Sequence, residues 1–408
     1  MKRVTLDQIP SIVGSLPRRP RVVVSGNVAT PQGLMAAFDA AVPEYVLHVL
    51  NAQKGIPDRE GVDYETAFVG PGMRGSERLT YIPCRLSLLP VLLRSISPPD
   101  VVLLHASAPR HDTVSLGIEV NVLPAAIEAC RERGGLVIVA SNPQMPYTYG
   151  DAQIYEHEID YLVEVDEPLT CLAPRTPDPV SMQIGSRIAE HIEDGSTLQL
   201  GIGSVPDAVL AALRERRDLR IWTEMFSDGV LELESEGCFD PEIPLTSSFL
   251  FGSRALYDFV HLNKRVRLLR TERTNDPGQI ARQAKMTSVN AALQVDLFGQ
   301  ANASRIRGRI FSGFGGSTDF IVGALHSRGG NAYIALPSWH PKADVSTIVP
   351  HLTDPVTSFQ HSAVVTEQGI ARVFGNTQRE QVHQLIEKAA HPSARAELWE
   401  QAGVMGLA

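Results

Sequence analysis

Two glycine loops, and a few amides and carboxylates at the ends of apolar runs, are the residues of this chain best suited to chemistry. In "LQLGIGSVPDAVL" (198–210), Gly201 and Gly203 make a turn between an apolar run and a helical segment whose first turn holds Pro206 and Asp207. Amides at a helix start lack intrahelical partners and face the positive end of the helix dipole, so the turn suits a phosphate or carboxylate. It lacks the third glycine of GxGxxG and the lysine of a P-loop, and a plain tight turn is the competing reading. In "FSGFGGSTDF" (311–320), Gly313, Gly315 and Gly316 bracket Phe314 and lead into Ser317. A backbone without Cβ atoms can approach a ligand closely, and successive N–H groups can converge on an anion or a developing oxyanion; a surface turn is the alternative.

Further polar candidates follow apolar runs. "NPQMPYTYGDA" (142–152) offers Asn142, Gln144, Tyr147 and Thr148 on a proline-stiffened loop, where open α/β sheets bind ligands beyond their strand ends. "TEMFSDGVLEL" and "VVTEQGIARVFG" put Glu224 and Glu367 beside turns, although a solvated carboxylate is the commoner outcome there. "NAALQVDLFGQ" (290–300) alternates like one half-buried strand, with Gln294 between Leu293 and Val295. Nothing resembles a serine nucleophile elbow or HExxH, and the 12 histidines are dispersed. Cys84, Cys130, Cys171 and Cys238 form no CxxC and have no histidine pair at metal spacing, so neither a disulfide framework nor a metal site is expected.

These residues need elements to hold them. Short apolar, β-branched runs recur at 21–28, 44–50, 79–84, 101–107 and 136–142, the pattern of strands buried on both faces of a parallel sheet. A helix is predicted over 122–135, stopped by Gly134. Four prolines in "DEPLTCLAPRTPDPVS" (166–181) interrupt the alternation, which sets the expected domains at 1–178 and 179–408. Beyond that stretch helices are predicted over 182–195, 205–216 and 376–390. Strands are predicted at 196–203 and in "RIWTEMF", "VRLLRTE", "SVNAALQVDLFG", "NAYIALPS" and "SAVVTEQG". A chain of 408 residues fits two α/β domains. The formal charge of −9 argues against a nucleic-acid partner, which needs clustered Lys and Arg. The N-terminus lacks a signal-peptide core and no stretch approaches the ~20 apolar residues of a membrane span, so a cytoplasmic protein is expected.

The same segments, in the same order, resemble the acetyl-CoA hydrolase/transferase family, the single-chain class I CoA-transferases. The likeness runs through "FVGPGMR", "YIPCRLSLLP", "NPQMPYTYGDAQI", "IEDGSTLQLGIGSVPDAV", "TEMFSDGVLEL", "TNDPGQIA", "VDLFGQANA", "SGFGGSTDF" and "VVTEQGIARVFG", over about residues 20–395. It implies two open α/β domains of related CoA-transferase fold with the active site in the cleft between them, and a homodimer. It implies coenzyme A as acyl-CoA substrate, a small carboxylate or other acyl acceptor, and no metal. By resemblance, CoA contacts come from Gly201, Gly203 and Pro206, from Asn142 through Gln144 and Met145 to Thr148, and from Gly313 to Ser317, with Gly315 and Gly316 as oxyanion donors. Met225, Phe226, Phe314 and Trp339 are the apolar candidates for the acyl group.

In the family's usual mechanism a glutamate attacks the thioester, giving an anhydride and then a glutamyl-CoA. The stretch aligned with that glutamate reads "NAALQVDLFGQ", which places Gln294 at its position. Three explanations follow. The chemistry is altered, with Gln294 donating or orienting water and Glu224 or Glu367 supplying the carboxylate, for CoA transfer, hydrolysis or acyl transfer. The chain is an engineered Glu-to-Gln form of a true acyl-CoA:carboxylate CoA-transferase. Or it is a CoA-binding homologue without turnover.

Overall fold

A computed structural model describes residues 1–173, 176–356 and 360–408. Pro174 and Arg175, inside the proline-rich stretch, lie outside the described residues. The chain forms two compact units. One is Met1–Ala173 with Pro244–Thr274 and Ile310–Gly315; the other is Pro174–Ile243 with Asn275–Arg309 and Gly316–Ala408.

The first unit is built on eight strands: β1 (Lys2–Val4), β2 (Arg21–Val24), β3 (Tyr45–His48), β4 (Val62–Thr66), β5 (Leu79–Tyr81), β6 (Val101–Ser107), β7 (Leu136–Asn142) and β8 (Tyr161–Glu164). Their order is β1-β8-β7-β6-β2-β3-β4-β5, and every pairing is parallel. The apolar runs β6 and β7 coincide with the predicted strands, because both faces of a central parallel strand are covered. Strand β4, "VDYET", carries the polar Asp63, Glu65 and Thr66, the last two buried, and was not singled out by its hydrophobicity. Helices α1 (Gln32–Ala41) and α2 (Leu123–Glu132) follow β2 and β6. Val22, Leu47, Leu103 and Ile138 pack with Phe38 and Tyr64 in the core of this unit.

The second unit holds a six-stranded sheet of β9 (Thr197–Leu200), β10 (Arg220–Ile221), β11 (Thr287–Ala291), β12 (Asn331–Ala335), β13 (Ala363–Thr366) and β14 (Gly369–Arg372). The order is β10-β9-β11-β12-β13-β14; only the terminal β13/β14 hairpin is antiparallel. Helices α3 (Pro179–Ala189), α4 (Ser204–Ala211) and α5 (Ser317–His326) belong to this unit, and Phe320, Ile321 and Ala324 of α5 are buried with Ile280, Ile334 and Val364.

Two expectations change. A single cut at 178/179 misses that Leu245–Ser247 pairs with Val266–Leu268, which pairs with Tyr149–Gly150, so this later segment belongs to the first unit. Long-range strand pairing leaves no local mark in the sequence. The expected continuous strand through 288–299 is also broken. It ends at Ala291, and Gln294–Asp296 starts a separate three-stranded sheet with Ala301–Asn302 and Ile348–Val349. No helix of the described residues is long and apolar enough to cross a membrane.

Candidate active site

Glu224 stands just past the end of β10. Thr223, itself buried, donates its hydroxyl to the carbonyls of Leu200 (3.3 Å) and Met225 (2.9 Å), which ties this segment to the C-terminal end of β9. The Glu224 carboxylate accepts a 2.8 Å hydrogen bond from Asn275 Nδ2. Both groups lie directly against the Cα of Gly316, where a Cβ would collide with Glu224 Oε2 and Asn275 Nδ2. Glu224 is half-buried as a residue, yet its carboxylate end is enclosed by protein. Burial pushes its pKa up to about 7; the nearby charge of Asp319, a buried residue in the first turn of α5, acts in the same direction, and the Asn275 hydrogen bond opposes both. This is a carboxylate held short of full ionisation at neutral pH beside a backbone stripped of side chain. Environments of that kind mark candidate nucleophiles and bases.

The rest of the glycine loop is equally constrained. Gly315 has φ +57°, a conformation that favours glycine, and its carbonyl accepts from Leu86 N (3.0 Å). Gly313 forms a β-bridge with Phe68, and a Cβ there would strike the carbonyl of Ala67. Gly316 caps α5 and Ser317, its first residue, is partly exposed.

At Gly201–Gly203 the glycines adjoin open space, and Gly203 has φ +121°. Ile202 between them is about half exposed, at 49%. The helix start beyond is furnished with the chain's own carboxylates. Asp178 accepts from Ser204 Oγ (2.9 Å), and Asp207 accepts from Ser227 Oγ (3.3 Å) inside the first turn of α4. Pro206 is buried. Beneath the turn, Leu198, Leu200, Leu210, Ile221, Met225 and Phe226 line a void of about 10 Å³, so Met225 and Phe226 serve packing there.

In the 142–148 loop Pro143 is exposed and Gln144 half exposed, and the other residues are buried. Asn142 is fully buried and donates from Nδ2 to His105 Nε2 (3.0 Å) and to the Glu167 carbonyl (2.7 Å). His105 is deprotonated by burial, with its pKa lowered to about 4, and gives its Nδ1 hydrogen to the Ala29 carbonyl. Met145 fills the space left by Gly117, and Thr148 donates to the Gly117 carbonyl (2.7 Å) while its amide donates to Ser115 Oγ (2.9 Å). Asn142, Met145 and Thr148 therefore have their groups committed within the protein. Gln144 alone of the four is half exposed, and it donates to Asp166 Oδ1 (2.7 Å).

Gln294 is half-buried in its small sheet, opposite Asn302. What the "VDLFGQ" turn needs is Asp296, whose Oδ1 accepts from the amides of Phe298 (3.1 Å) and Gln300 (2.9 Å) and whose Oδ2 accepts from Leu352 N (3.2 Å). Glu367 is engaged as well: burial pushes its pKa up, but hydrogen bonds from Ser338 and Gln368 prevail and hold it below the ordinary range. Phe314 and Trp339 are partly exposed, with the Trp339 ring 4.9 Å from that of His391. Asn275 was missed as a site residue, since "TNDPG" reads as an ordinary turn; its contact with Glu224 spans 51 positions. A cavity of 1070 Å³ in the first unit is lined by Lys2, Asp100, Arg133, Leu136 and Tyr161, at the N-terminal ends of strands. Among the described residues no group of three His, Cys, Asp or Glu side chains is placed to hold a metal ion.

Residues 252–402 match the model of the acetyl-CoA hydrolase/transferase C-terminal domain. Along 412 aligned residues, 95% of each chain, the sequence is 36% identical to the 4-hydroxybutyrate coenzyme A transferase of Clostridium kluyveri. The chain belongs to the acetyl-CoA hydrolase/transferase family. Two solved structures extend the likeness to the acetyl-CoA hydrolase/transferase fold. RipA from Yersinia pestis superposes with a TM-score of 0.92 at 27% identity, covering 100% of this chain and 98% of its own. A 4-hydroxybutyrate CoA-transferase from Porphyromonas gingivalis gives 0.84 at 31% identity, covering 99% and 98%. An acetyl-CoA hydrolase/transferase is an enzyme whose substrate is a CoA thioester, and the two units of α/β structure are those of its fold.

Proposed function

We propose that this enzyme is an acyl-CoA:carboxylate CoA-transferase in which Glu224, rather than the residue at 294, is the nucleophile. The observation that carries the reading is the Glu224 carboxylate seated on Gly316 with Asn275 as its donor. A carboxylate is a weak nucleophile in water and gains from desolvation, and amides in a glycine loop are fixed donors for the oxyanion that forms on attack.

Glu224 adds to the thioester carbonyl and expels CoA thiolate, leaving an acyl-glutamyl anhydride. The thiolate attacks the glutamyl carbonyl, which forms a glutamyl-CoA thioester and releases the first carboxylate. The acceptor carboxylate attacks that thioester and frees the thiolate again, and the thiolate takes the new acyl group from the second anhydride, restoring Glu224. Only ionised Glu224 starts the cycle, so the rate rises with pH through about 7.

The acidic groups at α4 favour a neutral pantetheine amide over a phosphate at Gly201 and Gly203, and Gln144 is the remaining contact on its loop. Asn142, Met145 and Thr148 hold that loop in shape. Gln294 then needs no account as a lost nucleophile. The names of the relatives point to short acids such as 4-hydroxybutyrate as acyl donors or acceptors. The same reading takes the enzyme to be cytoplasmic and, on the strength of the family resemblance, a homodimer.

Acetyl-, butyryl- and succinyl-CoA, each with and without acetate, followed by borohydride trapping and peptide mapping, test the proposal. Acetate-dependent CoA exchange and an adduct on the peptide carrying Glu224 are expected, with exchange surviving Gln294→Ala. An adduct on another residue, or CoA binding with neither exchange nor hydrolysis, would overturn it.

A further inference from the structure

We propose that Phe68 sets the length of acyl group the enzyme accepts; the inference rests on the glycine loop's role as thioester cradle. Phe68 belongs to the same unit as Gly313–Gly315 and is only partly buried. Its ring edge, Cε2 and Cδ2, stands 3.2 and 3.5 Å from the point that a Cβ on Gly315 would occupy. An apolar wall thus borders the one loop residue that lacks both side chain and ordinary φ.

The ring's position follows from its backbone. Thr66 Oγ1 accepts from Phe68 N (3.2 Å) and donates to its carbonyl (3.0 Å), and that carbonyl also accepts from Asn51 N (2.9 Å). Next to it Val69 N donates to the Ser312 carbonyl (2.8 Å), and Phe68 bridges Gly313. Close approach of Gly313 to Ala67 and of Gly70 to Ala52, both possible only without a Cβ, locks the segment further. Phe68 is therefore fixed by main chain on both sides while its side chain serves none of those bonds. Of the four apolar candidates, Met225 and Phe226 are 4% and 3% exposed and packed inward, while Phe314 and Trp339 are partly exposed. An acyl chain whose carbonyl oxygen is held by the loop's amides meets the Phe68 ring within a few carbons, so the wall admits short chains and rejects longer ones.

The test is a chain-length series, acetyl-, butyryl- and hexanoyl-CoA with acetate as acceptor, run on wild type and on Phe68→Ala, Phe68→Leu and Phe68→Trp. A hydrophobic pocket discriminates about tenfold or more per added methylene. Phe68→Ala is expected to raise the hexanoyl-to-acetyl ratio of kcat/KM at least about tenfold, Phe68→Leu by less, and Phe68→Trp to lower the butyryl-to-acetyl ratio. Ratios within about twofold of wild type in all three variants, with wild-type exchange intact, overturn the assignment of Phe68 alone. Wild type that exchanges no acyl group overturns the assignment together with the proposed function. Should Phe68→Ala fail to fold, the Leu and Trp variants decide by the same ratios.

Discussion

Replacing Glu224 with Gln removes the buried charge and keeps an oxygen for the Asn275 donor, so the change isolates what ionisation costs the fold. Burial raises this carboxyl from an ordinary 4.5 to about 7. A group whose folded pKa lies above its unfolded value has its full stabilising effect below the unfolded pKa and loses it as pH rises through the folded one. In the window from about 4.5 to 7 the folded state holds a proton that the unfolded chain has lost, and stability falls with pH. At about 1.36 kcal/mol per pH unit the ceiling is on the order of 3 kcal/mol; solvent that reaches the half-buried residue reduces this to roughly 2 kcal/mol. The assay is thermal melting of wild type and Glu224→Gln at pH 4.5 and pH 8. Near pH 4.5 the two are expected to melt together. At pH 8 the variant should melt higher by about 4 to 8 °C, given about 2 to 4 °C per kcal/mol for units of this size. The variant should at the same time lose CoA transfer. Equal melting at both pH values, or a variant less stable at pH 8, would refute the claim that Glu224 is held partly protonated by its surroundings.

Gly316→Ala places a methyl group on Glu224 and Asn275. A displacement of about 1 Å in a reacting group costs on the order of 100-fold in rate, so kcat should fall by at least that factor while CoA still binds, as read by steady-state kinetics and calorimetry. Asn275→Leu removes a hydrogen bond that favours the ionised carboxylate. The rising limb of the pH–rate profile should move to higher pH by about one pH unit, the equivalent of about 1.5 kcal/mol for a charge-assisted hydrogen bond. An unmoved limb would mean that another group controls the rate.

Much of this was legible without coordinates. The β6 and β7 runs, the helix after β6, the strand-to-helix glycine turn at 201–203 and the loop at 313–316 all carry local signals: continuous apolar residues, a glycine stop, missing Cβ atoms. What the sequence left open has a common cause. In "NAALQVDLFGQ" the period of two persists across Ala291 to Gln294, because two strands in different sheets alternate just as one strand does. In the 142–148 loop Asn142 and Thr148 read as ligand donors, because a side chain's type does not say whether His105 and Gly117 lie within reach. Glu224 and Glu367 read alike as carboxylates beside turns. They part company through Asn275 and Asp319 around the one and Ser338 and Gln368 around the other.

By itself, then, the sequence determined the α/β class, the family, and which short segments could turn without side chains, since each of these depends on residues adjacent in the chain. Tertiary structure decided which carboxylate is enclosed beside the glycine loop, which polar residues face inward and to which unit the 244–274 segment belongs. Those are properties of neighbours brought together from distant positions, and desolvation, the force that raises Glu224, acts only once they have met.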